Sequence, residues 1–153
     1  MHIRNRAGDA FSLTITDYQF PEDRSGGTDA NWLMMQIDAA INHSRWTVID
    51  PCLLTSEIQR LADWLHGLGN TDVVGSQCRF IEPCLSFALQ AATDSNRVLR
   101  VYFELEARPP WDKASGAGRE ALWLDFPLME IDLQQAAADL YRQLSRFPPR
   151  NAT

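Results

Sequence analysis

From Arg97 to Trp111 the chain alternates by twos: Leu99, Val101, Phe103 and Leu105 share one side, and Arg100, Tyr102, Glu104 and Glu106 share the other. That is the period of a strand with one dry and one wet face. Pro109-Pro110 closes it, because proline cannot continue a ladder. The same alternation predicts strands at Phe11 to Thr16, Leu33 to Ile41, Gln77 to Ile81, Leu85 to Ala91 and Leu122 to Phe126. Another runs from Arg45 to Ile49 and ends on Asp50-Pro51. Asn42-His43-Ser44 and Asp94-Ser95-Asn96 carry turn chemistry, while Pro21 to Thr28 and Asp112 to Glu120 read as loops. The period shifts to about 3.6 in two places. Ile58, Leu61, Ala62, Leu65 and Leu68 predict a helix over about Ser56 to Leu68 behind a Thr55 cap. Leu133, Ala136, Ala137, Leu140, Tyr141 and Leu144 predict another. Asp132 and Gln135 open it with capping-box spacing and Pro148-Pro149 stops it.

A sheet dry on one side only is ordinarily antiparallel. The expected fold is α+β, a single-layer, mostly antiparallel sheet of about six to seven strands with two helices packed on one face. The chain has 153 residues, the length of one domain, with an expected ordered part over about 9–149. No internal repeat and no low-complexity segment stands out.

Composition narrows the function. The longest apolar runs, such as Trp32 to Met35, are too short to cross a bilayer. No apolar stretch follows Arg4 and Arg6, so no secretion signal is expected. Cys52, Cys78 and Cys84 are odd in number and lack metal-finger spacing; they read as reduced, small apolar residues of a cytoplasmic protein. Net charge is −6, and residues 1–75 hold ten acids against five bases while the remainder holds ten against nine. Direct nucleic-acid binding calls for a basic stripe that this chain lacks. An acidic half suits a basic protein partner instead.

The search for chemistry returns little. His2, His43 and His66 are the available imidazoles, at an end, in a turn and late in a helix, and no nucleophile motif accompanies them. No histidine pair or acidic loop has metal-binding spacing, and no cofactor is expected. Gly26-Gly27 and Gly116-Ala117-Gly118 do not lie between a strand and a helix as a phosphate cradle would, and Lys113 stands in the wrong order. Glu104 and Glu106, two apart on one strand face, have the makings of an acid–base pair or of a solvated face paired to Arg79 or Arg100. Trp32, Trp111 and Trp123 read either as interface anchors or as cover for the sheet rim.

Several strings recur in one order: Tyr18-Gln19-Phe20-Pro21, Asp29-Ala30-Asn31-Trp32-Leu33, Asp50 to Thr55, Glu82 to Phe87, Val101 to Glu106, Arg108-Pro109-Pro110-Trp111, Leu122 to Phe126 and Phe147 to Arg150. Together they resemble the WapI-like family of bacterial immunity proteins over about residues 10–150. The resemblance implies a cytoplasmic antidote that binds the C-terminal domain of a polymorphic, contact-delivered toxin. In the best-known case that toxin is a nuclease acting on tRNA. It carries over no catalytic residue.

The expected contact surface is the wet sheet face with its acidic loops: Glu22, Asp23, Asp29, Trp32, Glu104, Glu106, Trp111 and Trp123. Two other readings stay open. One is a small-ligand-binding or glycan-acting protein that uses the sheet face as a pocket under the 112–120 loop. The other is an interaction subunit with no toxin partner. The sequence carries no signal for oligomeric state.

Overall fold

The computed structural model describes residues 1–69, 75–91, 96–112 and 120–151. Within them, four strands and a helix occur twice in succession. The first half holds β1 (His2–Arg4), β2 (Ala10–Tyr18), β3 (Trp32–Ile41), β4 (Ser44–Leu54) and α1 (Thr55–Gly69). The second holds β5 (Gln77–Arg79), β6 (Leu85–Ala91), β7 (Arg97–Phe103), β8 (Leu122–Pro127) and α2 (Leu133–Arg146). All paired strands are antiparallel, in the orders β1-β2-β3-β4 and β5-β6-β7-β8. The α+β class and the antiparallel pairing are as expected. The strands described number eight, and they divide into two sheets of four. The order of elements thus repeats, although the residues do not. Most of the expected 112–120 loop and Asp94-Ser95 lie outside the described residues.

The dry faces of both sheets and the apolar stripes of both helices share one core. Phe11 of β2 meets Phe87 of β6 and Phe103 of β7 edge-on, with ring centroids 5.8 Å away in each case. Ile58, Leu61 and Leu65 of α1 and Leu140 of α2 are fully buried in the same cluster. Asp132 caps α2 by accepting from the Gln135 amide at 2.9 Å. The Gln135 side chain turns to Asp139 instead of completing a reciprocal box.

Three expectations need correction. First, the N-terminus is ordered: His2–Arg4 forms β1, and Met1 and Ile3 are buried. Past β1, the edge of β2 is covered by Gln143 of α2, whose side chain accepts from the Ile15 amide at 2.7 Å and donates to the Leu13 carbonyl at 3.2 Å. A side-chain amide there stands in for a neighbouring strand. Second, Pro51 does not end β4. The strand runs on to Leu54 with a register shift between Leu33 and Met34, and Pro51 lies opposite Met34 on an edge strand, where a missing N–H is tolerated. Third, β7 stops at Phe103, well short of Pro109. Leu105 takes a φ of +45° and the chain turns through Leu105–Ala107, so Leu105 faces outward. Two groups hold that turn. The Trp46 indole donates to the Ala107 carbonyl at 3.0 Å. The buried Arg108 guanidinium donates to Asp112 and to the Glu120 carbonyl.

The β3–β4 hairpin closes in two residues, Asn42 and His43, at φ +48° and +70°. Both are left-handed, the requirement of a type I′ turn. Replacing His43 with glycine is expected to stabilise the protein by about 0.5–1 kcal/mol in denaturant titration, since glycine removes the left-handed strain. A destabilised H43G would show that the imidazole makes a compensating contact.

The helices meet through Tyr141, whose hydroxyl donates to Asp63 of α1 at 2.7 Å. Burial and that carboxylate push the Tyr141 phenol up to about 12 from an ordinary value of 10. A phenol raised in the folded state stabilises fully below pH 10, and that contribution is lost as pH rises towards 12. Ultraviolet titration should therefore show a late tyrosinate transition that Y141F removes, together with a shallower loss of stability over that alkaline window. A late transition persisting in Y141F would contradict the assignment.

Candidate functional site on the outer face of the second sheet

Register arranges the outer face of the second sheet into rows. One row crosses the sheet as Arg79, Ser86, Tyr102 and Trp123; the next as Gln77, Ala88, Arg100 and Asp125. Alternation puts these side chains outside because Phe87, Leu99, Val101, Leu124 and Phe126 fill the core. Small residues on β6 leave a hollow of about 250 Å³, bordered by Gln77, Arg79, Tyr102 and Glu104. Beside it stands a ridge of Tyr102, Arg100 and Trp123.

The ridge is held rigidly. Arg100 makes two parallel bonds to Asp125, Nε to Oδ1 at 2.7 Å and Nη2 to Oδ2 at 2.8 Å. Those hydrogen bonds raise the guanidinium's pKa further above its ordinary value. The fixed fork lies over the Trp123 ring, 4.5 Å from its centroid, and 5.9 Å from that of Tyr102. Trp123 and Tyr102 rings lie 6.2 Å apart. Trp123 nevertheless keeps 39% of its surface exposed. A cation stacked on an exposed indole and anchored by a carboxylate places a large amphipathic surface at little entropic cost.

The residues expected to form one surface fall into separate places. Glu104 borders the hollow, where it ion-pairs with Arg108 at 3.5 Å, and Trp123 belongs to the ridge. Glu106 lies in the turn after β7 rather than on its face, so the two carboxylates do not stand side by side on a strand. Trp111 is exposed and packs edge-on against Trp46 of β4, centroids 5.9 Å apart. Trp32 is half-buried on β3 in the first sheet, in register with Leu54.

Glu22, Asp23 and Asp29 belong to the connection between β2 and β3. Arg150 gathers it by donating to the carbonyls of Phe20, Pro21 and Asp23, at 2.8, 3.0 and 2.7 Å. Asn31 bonds Gly27, Thr55 and Arg150, joining this loop to α1 and the C-terminal segment. The Ser25 amide and hydroxyl hold the Asp23 carboxyl below its ordinary pKa. This loop carries its negative charge on the first half of the chain, apart from the ridge.

Arg100, Tyr102 and Asp125 are the members of the site that the expected set omitted. Their signal was present in the strand alternation, but only the β7–β8 register reveals that they meet Trp123. No group of three or more metal-ligating side chains occurs among the described residues. Cys52, Cys78 and Cys84 are free and buried, and contact with Cys84 together with burial pushes the Cys52 thiol up. No described helix is long and apolar enough to cross a membrane.

No curated protein and no solved structure matches the chain. The model of the Immunity protein WapI-like family matches residues 2–148. That span takes in every strand and both helices, from β1 through α2. The chain belongs to the WapI-like family of immunity proteins.

Proposed function

We propose that this protein is a non-catalytic inhibitor that binds the C-terminal domain of a contact-delivered bacterial toxin in the cytoplasm. A tRNA-cleaving nuclease is the partner class that the sequence resemblance implies. Family membership supports the immunity role. The observation that carries the choice of surface is the Asp125–Arg100–Trp123 clamp beside the Tyr102 hollow. Tryptophan, tyrosine and arginine dominate the energetics of protein interfaces, and here all three are fixed before binding. Trp123 is the projecting anchor, Tyr102 and Ser86 line a recess for a partner side chain, and Glu104 supplies an acceptor at its rim.

The acids of the β2–β3 connection have a different part. Glu22, Asp23 and Asp29 lie on another element, so their role is to attract a basic partner from a distance. A nuclease that grips RNA phosphates presents the complementary charge.

The test uses the purified C-terminal domain of a candidate toxin, taken from a gene adjoining that of this protein where one is found. Replacing Trp123 with alanine is expected to weaken binding by about 2 kcal/mol or more, roughly thirtyfold in Kd, and to abolish rescue of growth. Thr14→Ala, on the exposed outer side of the first sheet, should leave affinity unchanged. Neutralising Glu22, Asp23 and Asp29 together should slow association and flatten its salt dependence while dissociation stays the same. W123A binding as tightly as the parent would reject the surface. Failure of the parent chain to bind the toxin at all would reject the inhibitor role.

A further inference from the structure

The outer face of the first sheet carries a second concavity, built from the same kind of rows. Register aligns Arg4, Ala10, Ala40 and Arg45 across the four strands, and beside them His2, Ser12, Asp38 and Thr47. The two central strands contribute alanines and the two edge strands contribute arginines. Three strand spacings separate the edges, roughly 14 Å. The result is a cavity of about 320 Å³ with a small-residue floor, and both arginines line it.

Its charge is unbalanced in a telling way. Asp38 is the carboxylate lining the cavity, and both its oxygens are engaged: Oδ2 accepts from Gln36 at 2.8 Å and Oδ1 from Thr47 at 2.6 Å. Among the described residues, neither Arg4 nor Arg45 has a hydrogen-bonded or ion-paired partner. On the outer face of the second sheet, by contrast, Arg100 is paired to Asp125. Two guanidiniums with no ion-paired acid among the described residues thus line one hollow from opposite edge strands. His2 adds a ring nitrogen 2.6 Å from the Ser12 hydroxyl along the same wall.

From this geometry we infer that the first sheet binds a small phosphomonoester, its phosphoryl group held between Arg4 and Arg45 over Ala10 and Ala40. Guanidinium forks bind oxyanions bidentately. A carboxylate carries one negative charge, whereas a phosphomonoester dianion carries two and has three acceptor oxygens, which two guanidiniums match in charge. The volume lies at the small end of the range for small-molecule sites, leaving room for the organic part of the ester. This site is on the other sheet from the Trp123 ridge and does not rest on the inhibitor reading.

The experiment titrates the full chain with phenyl phosphate, with benzoate and phenol as matched probes, by calorimetry and by amide shifts. Phenyl phosphate is expected to bind and to shift amides around Ala10 and Ala40. R45Q should weaken it about tenfold and R4Q/R45Q should remove it. Unchanged melting temperatures in both variants would show that the exposed substitutions leave the fold intact. Benzoate binding as tightly as phenyl phosphate would overturn the phosphoryl assignment. Absence of any shift at millimolar probe, or affinity unaltered in R45Q, would overturn the site.

Discussion

Phe11 stands edge-on to both Phe87 and Phe103, and that contact between the two sheets governs what the rest of the molecule does. Each sheet is dry on one side only. Neither can satisfy that side alone, so the two meet across one core with α1 and α2 closing it. Burying one large apolar side chain contributes about 1.5–3 kcal/mol, and four phenylalanines are almost wholly enclosed here. Once the inner faces are committed, the outer faces are free to carry chemistry. Both are ordered platforms, because every strand pair behind them is fixed in register.

The two platforms share one plan and differ in charge. On each, small residues in the middle of the sheet create a hollow, and long or aromatic residues rise beside it. On the second sheet Ser86 and Ala88 lie next to Tyr102, Arg100 and Trp123, and the arginine is neutralised by Asp125. A neutral, aromatic, preorganised ridge suits a protein surface, where desolvating an unpaired charge is costly. On the first sheet Ala10 and Ala40 lie between Arg4 and Arg45, which have no ion-paired acid among the described residues. That surface suits a small anion.

Much of this was legible in the residues. Alternation located seven of the eight described strands, and the 3.6 period located both described helices, with the Asp132 cap. What was illegible depended on partners distant in the chain. Leu105 reads as one more inward residue of β7, yet it turns outward where Trp46, 61 residues before Ala107, takes the Ala107 carbonyl. Pro51 reads as a stop, and only its position on an edge strand allows β4 to continue. Glu57 reads as a first-turn acid favoured by the helix dipole. In the fold it is buried, and its carboxylate accepts from the amides of Leu54 and Ile81, binding α1 to the segment before β6. The candidate site followed the same rule. Trp123 and Glu104 were visible as outward residues, but the clamp joining Trp123 to Arg100 and Asp125 is a cross-strand relation that register alone establishes.

Hydroxyl-radical footprinting of the chain alone and in complex with a toxin domain that it binds is the decisive measurement. Trp123 and Tyr102 are expected to lose their reactivity on binding, while Tyr141, between the helices, keeps the reactivity it has in the free protein. A complex in which Trp123 remains as reactive as before, with protection falling on Tyr141 or Phe20 instead, would contradict the account.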